Sequence, residues 1–109
     1  MKWYKKLYLG ENAEKQKYKV FGKIRKNRFQ IDTYLISLAA NSDDLLDVLP
    51  ANILLQPFYK KKKNVENIYI IGIAKGYDEA LELVRAIVDE VYQSTGGFDI
   101  RGYLGFGRI

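Results

Sequence analysis

Residues 67–94, NIYIIGIAKGYDEALELVRAIVDEVYQS, constrain the fold more than any other stretch of the chain. Ile68, Ile70, Ile71 and Ile73 with Tyr69 form a short β-branched and aromatic run, which predicts a strand over 67–75 buried on both faces. Gly76 breaks the run. Beyond it, Ala80, Leu81, Leu83, Val84, Ile87, Val88, Val91 and Tyr92 share one half of a helical wheel, while Asp78, Glu79, Glu82, Arg85, Asp89 and Glu90 share the other. A strand followed at once by a two-faced helix implies a sheet for that helix to lie on. Gly96 and Gly97 close the helix, since its end commonly needs a residue with positive φ.

The rest of the chain reads as further strand and helix units. WYKKLYL (3–9), with Lys5 and Lys6 among aromatic and aliphatic residues, suits an edge strand. Gly10-Glu11-Asn12 turns the chain, and Asn12 is the expected N-cap of a helix running to about Asn27. DTYLISLAA (32–40) is the second strand. YLISLAANSDDLLDVL (34–49) also aligns with YIIGIAKGYDEALELV (69–84) at an offset of 35 residues, suggesting two copies of one strand-helix unit. On that reading Ser42 caps a helix over 43–49, Pro50 interrupts it, and a second helical piece runs from 50 to 56. FDIRGYLGF (98–106) alternates loosely and reads as a last edge strand.

The expected fold is therefore one α/β domain over residues 1–109. Its small, mostly parallel four-stranded sheet has βαβαβαβ order, with 32–40 and 67–75 adjacent, parallel and central. The alternative is an α+β ferredoxin-like fold, in which 51–60 is a strand.

Chemistry is bounded mainly by what is missing. The chain has no histidine and no cysteine, so the usual general base, disulfides and zinc-thiolate sites are excluded. The N-terminus lacks an apolar signal region, and no apolar run approaches the length of a membrane span, so a cytoplasmic protein without a membrane partner is expected. No cofactor motif is present: neither GxxxxGK[ST] nor GxGxxG follows a strand. The acidic residues Asp43, Asp44, Asp47, Asp78, Glu79 and Glu82 lie at helix starts or on a solvated face, so no metal site is expected.

Two sets of residues remain as candidates. In open α/β sheets ligands gather where strands give way to helices, which points to Asn12, to Asn41 and Ser42, and to Lys75, Gly76 and Tyr77. These turns suit a nucleotide or phosphate ligand, although a plain glycine turn with acidic capping explains them as well. The second set is basic. Residues 1–30 carry ten Lys and Arg against two Glu, and 60–75 carry five Lys against Glu66. Lys15, Lys19, Lys23 and Lys26 form a ridge on one helix face, and Lys60, Lys61, Lys62 and Lys63 form an exposed run. Both suit an anionic macromolecule, nucleic acid included, or an acidic protein surface, and both also serve simply as solvated faces. A non-catalytic binding module is the leading expectation. A homodimer is expected through Ile53, Leu54, Leu55, Phe58, Tyr59 and the 98–106 strand, because these apolar groups exceed what one small core buries.

Overall fold

The computed structural model describes residues 2–19, 32–39, 45–57 and 68–106. Its elements are β1 (Lys2–Leu9), α1 (Glu11–Lys15), β2 (Thr33–Leu38), β3 (Leu46–Pro50), a 3-10 helix (Ala51–Leu55), β4 (Tyr69–Lys75), α2 (Tyr77–Thr95) and α3 (Ile100–Leu104). The four strands form one sheet in the order β1-β4-β2-β3. Only β1 and β4 are parallel; β4 with β2 and β2 with β3 are antiparallel.

The strand-turn-helix unit forms as its sequence requires. β4 is buried along most of its length, Gly76 turns the chain at φ 91°, and α2 ends on Gly96 in the left-handed region. Ala80, Ile87 and Val91 are fully buried, while Leu81 and Tyr92, at the margins of the apolar arc, stay about half-exposed. The two most apolar strands, β4 and β2, take the centre of the sheet.

The mostly parallel βαβαβαβ arrangement is overturned, and the fold is α+β. Residues 46–49, expected as helix, instead pair with β2 as an antiparallel hairpin, Leu38 opposite Leu46 and Leu35 opposite Leu49. Leu46 and Val48 alternate with Asp47 and pack on the main core, so tertiary pairing overrides the acidic start that suggests a helix. Pro50 is tolerated because it ends the sheet's edge strand. Inserting this hairpin reverses the chain, so β2 and β4 are adjacent but antiparallel, with Tyr34 opposite Ala74 and Leu35 opposite Ile73. The apparent repeat therefore ends in unlike structures, a five-residue strand in one half and a 19-residue helix in the other. The α+β class of the ferredoxin-like alternative holds, but its strand over 51–60 does not, for 51–55 is a 3-10 helix.

The remaining corrections lie at the termini of elements. Asn12 is not the cap of α1; Gly10 holds that position and the helix breaks at Gln16, with 17–19 helical again. The stretch 98–106 is not a strand. Asp99 caps α3 by accepting a hydrogen bond from the Gly102 amide at 3.0 Å, and Gly105 closes it at φ 65°. Strand pairing between copies through 98–106 is removed with it, and of the other residues expected at that interface Ile53 is half-buried. Phe58, Tyr59 and the side chains of Leu54 and Leu55 lie outside the described residues.

Both faces of the sheet are covered. On one, Ile36, Leu38, Ile71 and Ala74 pack beneath α2 and against Ile100 of α3. On the other, Leu35, Ile70 and Ile73 pack with Ala13 of α1 and Ala51. Between Ile36 and Ser37 the register advances one residue on β2 and two on β4, so Ile71 is an extra residue, a bulge. This bulge turns Ile71 towards α2 beside Gly72. A Cβ on Gly72 would lie 3.1 Å from the Tyr8 carbonyl oxygen and 3.2 Å from Leu83 Cδ2, so a side chain there would require β1 or α2 to give by a few tenths of an ångström.

Candidate functional site

Because β1 runs parallel to β4, with Leu9 opposite Ile73, the turn after each strand lies at the same end of the sheet. The Gly10 amide donates to the Ile73 carbonyl at 2.9 Å, which joins the two turns. The candidate residues Asn12 and Lys75–Tyr77 are thereby brought together. Asn41 and Ser42 lie outside the described residues. β2, which leads towards them, ends at Leu38, at the end of the sheet away from Lys75.

The amides at the joined turns are already occupied by a carboxylate of the chain itself. Glu79, in the first turn of α2, accepts from the backbone N–H of Asn12 at 2.7 Å, Lys75 at 2.6 Å and Ala13 at 3.4 Å. The start of α1 is thus capped by a residue far along the chain, which supplies the acceptor that helix termini need. The Lys75 side chain is 8% exposed; its Nζ lies 3.0 Å from Asp32 Oδ1 and 3.5 Å from Thr33 Oγ1. Tyr77 is exposed, its ring edge-on to Tyr34 at 5.7 Å. A groove of about 380 Å³ opens beside the turns, and Glu11, Asp78, Glu79 and Glu82 line it. Four carboxylates repel a phosphate. No cluster of His, Cys, Asp or Glu among the described residues is arranged to hold a metal ion.

A second polar constellation was not legible in the sequence. The Tyr8 hydroxyl donates a hydrogen bond to the Glu90 carboxylate of α2. Burial, and then the Glu90 hydrogen bond and charge, hold the Tyr8 phenol well above its ordinary pKa, so it stays protonated through the physiological range. Neighbouring rings complete the cluster: Phe106 packs against Tyr4 at 5.5 Å and Tyr69 at 5.4 Å, and Arg101 reaches the Ala39 carbonyl at 2.7 Å. Its strand, helix and tail members are far apart in the chain, and no local pattern announces such a cluster. Burial and the Glu90 carboxylate keep the Tyr8 proton on its oxygen, so the cluster packs strand, helix and tail together without a phenolate.

The basic residues fall on two adjoining elements. α1 lies beside β1 on the face that buries Ala13, Trp3, Leu7 and Leu9. Lys2, Lys5 and Lys6 of β1 and Lys15, Lys17 and Lys19 on and after α1 are all exposed, with Glu11 and Glu14 the only acids in 2–19. Lys5 and Lys6 occupy the stretch between Trp3 and Tyr8, where β1 carries three more residues than the opposed part of β4 and leaves the regular register. Lys15 forms an exposed ion pair with Glu11 at 3.6 Å, which contributes little to stability. Tyr18 is 83% exposed, and Lys17 Nζ lies 5.4 Å from its ring centre. Lys23, Lys26, Lys60, Lys61, Lys62 and Lys63 lie outside the described residues.

Searches against protein-family models, curated proteins and solved structures find no match to this chain. The fold is of the α+β class, and Glu79 fills the joined turns after β1 and β4. No helix among the described residues is long and apolar enough to cross a membrane.

Proposed function

We propose that the chain is a non-catalytic binding module for an anionic polymer, engaged through the lysine-bearing edge of β1 and α1. The observation that carries this reading is the grouping of six exposed lysines on two adjacent elements. Such an array follows a phosphate backbone without needing a pocket, and its affinity comes from releasing the counterions of that backbone. Tyr18 makes single-stranded nucleic acid the polymer that fits best. Its ring is exposed and has a lysine ammonium near it, the pairing of stacking platform and charge that strand-binding proteins use. The competing reading, a nucleotide or phosphate at the turns, requires the ligand to displace Glu79 from three backbone amides within an acidic groove.

Fluorescence anisotropy with a labelled single-stranded oligonucleotide tests the proposal, with polyglutamate measured alongside. Oligonucleotide binding should weaken steeply with salt, the logarithm of affinity falling by roughly 0.7 per phosphate neutralised for each tenfold rise in salt. Polyglutamate binding without oligonucleotide binding would move the partner to an acidic protein surface. Tight binding of a mononucleotide, indifferent to salt, would replace the reading altogether.

A further inference from the structure

The outward face of α2 carries a charge pattern that the basic edge does not use. Glu82, Arg85 and Asp89, on the outward side, and Tyr92, at the margin of the apolar arc, follow one another at intervals of three, four and three residues. This spacing reads the same from either end. All four are exposed, with the small Ala86 exposed between them and a groove of about 610 Å³ along the stripe. Arg85 makes no ion pair among the described residues, although Glu82 and Asp89 stand about one turn away on either side. At the end of the stripe Tyr92 and Phe98 stack at 5.3 Å, yet 48% and 52% of their surfaces remain exposed. An exposed aromatic pair beside a cation that makes no ion pair among the described residues is an incomplete surface.

We infer that the occupant of this face is a second copy of the chain, its α2 antiparallel to the first across a two-fold axis at the level of residue 87. In that register each side chain of the stripe meets a suitable partner. Arg85 faces the partner's Asp89, and Glu82 faces the partner's Tyr92 hydroxyl. Each contact occurs twice because the interface is isologous. A shift of one turn would set Asp89 against Asp89 in one direction and Arg85 against Arg85 in the other, so the charges select the register as well as the partner. Small Ala86 near the crossing allows the helices to approach closely, and the Tyr92–Phe98 pairs cover the ends. A basic peptide from another protein would satisfy Glu82 and Asp89, but it would leave Arg85 facing like charge.

Sedimentation velocity on charge-swapped variants tests the inference. Wild-type protein should be dimeric at about 100 µM, corresponding to micromolar or tighter association. Arg85→Asp and Asp89→Arg, taken singly, each convert two attractive contacts into repulsive ones and should weaken the dimer at least roughly tenfold. The double variant Arg85→Asp/Asp89→Arg restores opposite charges in the same register and should recover the dimer, and Arg85→Lys should keep it. Both positions are exposed, so the thermal midpoints of the singly substituted monomers should stay near one another, separating loss of association from loss of fold. A monomeric wild type at that concentration would overturn the inference. So would single reversals that leave the mass unchanged, or a double variant that fails to recover it.

Discussion

Glu79 lies so close to Gly10 that a Cβ built on the glycine would stand 2.4 Å from Glu79 Oε2. Gly10 adopts extended backbone that any residue tolerates, so its requirement comes from the carboxylate passing over it and not from its own φ. Gly10→Ala should push Glu79 off the amides of Asn12, Ala13 and Lys75, costing about 1–3 kcal/mol as part-buried donors lose their acceptor. Glu79→Ala should cost a similar amount. Added to Glu79→Ala, Gly10→Ala should cost almost nothing further, a coupling that urea denaturation of the four proteins measures directly.

Gly72→Ala tests the close approach of α2 and β1 to the central strand. The added methyl meets backbone at Tyr8, which the sheet holds in place, as well as Leu83 Cδ2 and Ile36 Cγ1. Overpacking of this kind should destabilise by about 1–3 kcal/mol. Leu83→Ala in the same protein should recover part of that loss relative to the two single costs, again read from denaturation midpoints.

The pH dependence at high pH should carry the signature of Tyr8. Its pKa is raised in the folded chain, so its contribution to stability is fully present below the unfolded tyrosine value of about 10 and fades as pH climbs above it. Ultraviolet titration of the phenols should show Tyr8 ionising after the exposed tyrosines. Tyr8→Phe should flatten the alkaline decline in melting temperature; a decline identical to wild type would place the effect elsewhere.

Asp99→Ala should cost about 1 kcal/mol through loss of the α3 cap, and the loss should appear as faster amide exchange at Gly102.

Legibility in the sequence follows the range of the interactions. β4, Gly76, α2 and Gly96 are set by local pattern, an apolar run, a helical stripe and positive-φ glycines, and they form where the pattern puts them. β3 was hidden because Asp43, Asp44 and Leu46 mimic a helix start, whereas its state is decided by pairing with β2. The α3 signal was present in Asp99 and Gly105, but the alternation of Phe98, Ile100 and Leu104 with polar or glycine neighbours outweighed it. The turns at Gly10–Asn12 and Lys75–Tyr77 follow their strands where the glycines stand, yet their filling depends on Glu79 reaching residues 66 and 67 positions away, which no local motif records. The lysines of β1 and α1 were legible as charge, while their adjacency required the sheet order.

The most direct test of the basic edge is to map the backbone amide shifts of labelled protein by NMR during titration with a single-stranded oligonucleotide. The largest changes should fall on residues 2–6 and 14–19, Tyr18 among them, and should shrink as salt is raised. Changes centred instead on Gly10–Asn12 and Lys75–Tyr77, or no changes at low salt, would contradict a binding role for this edge.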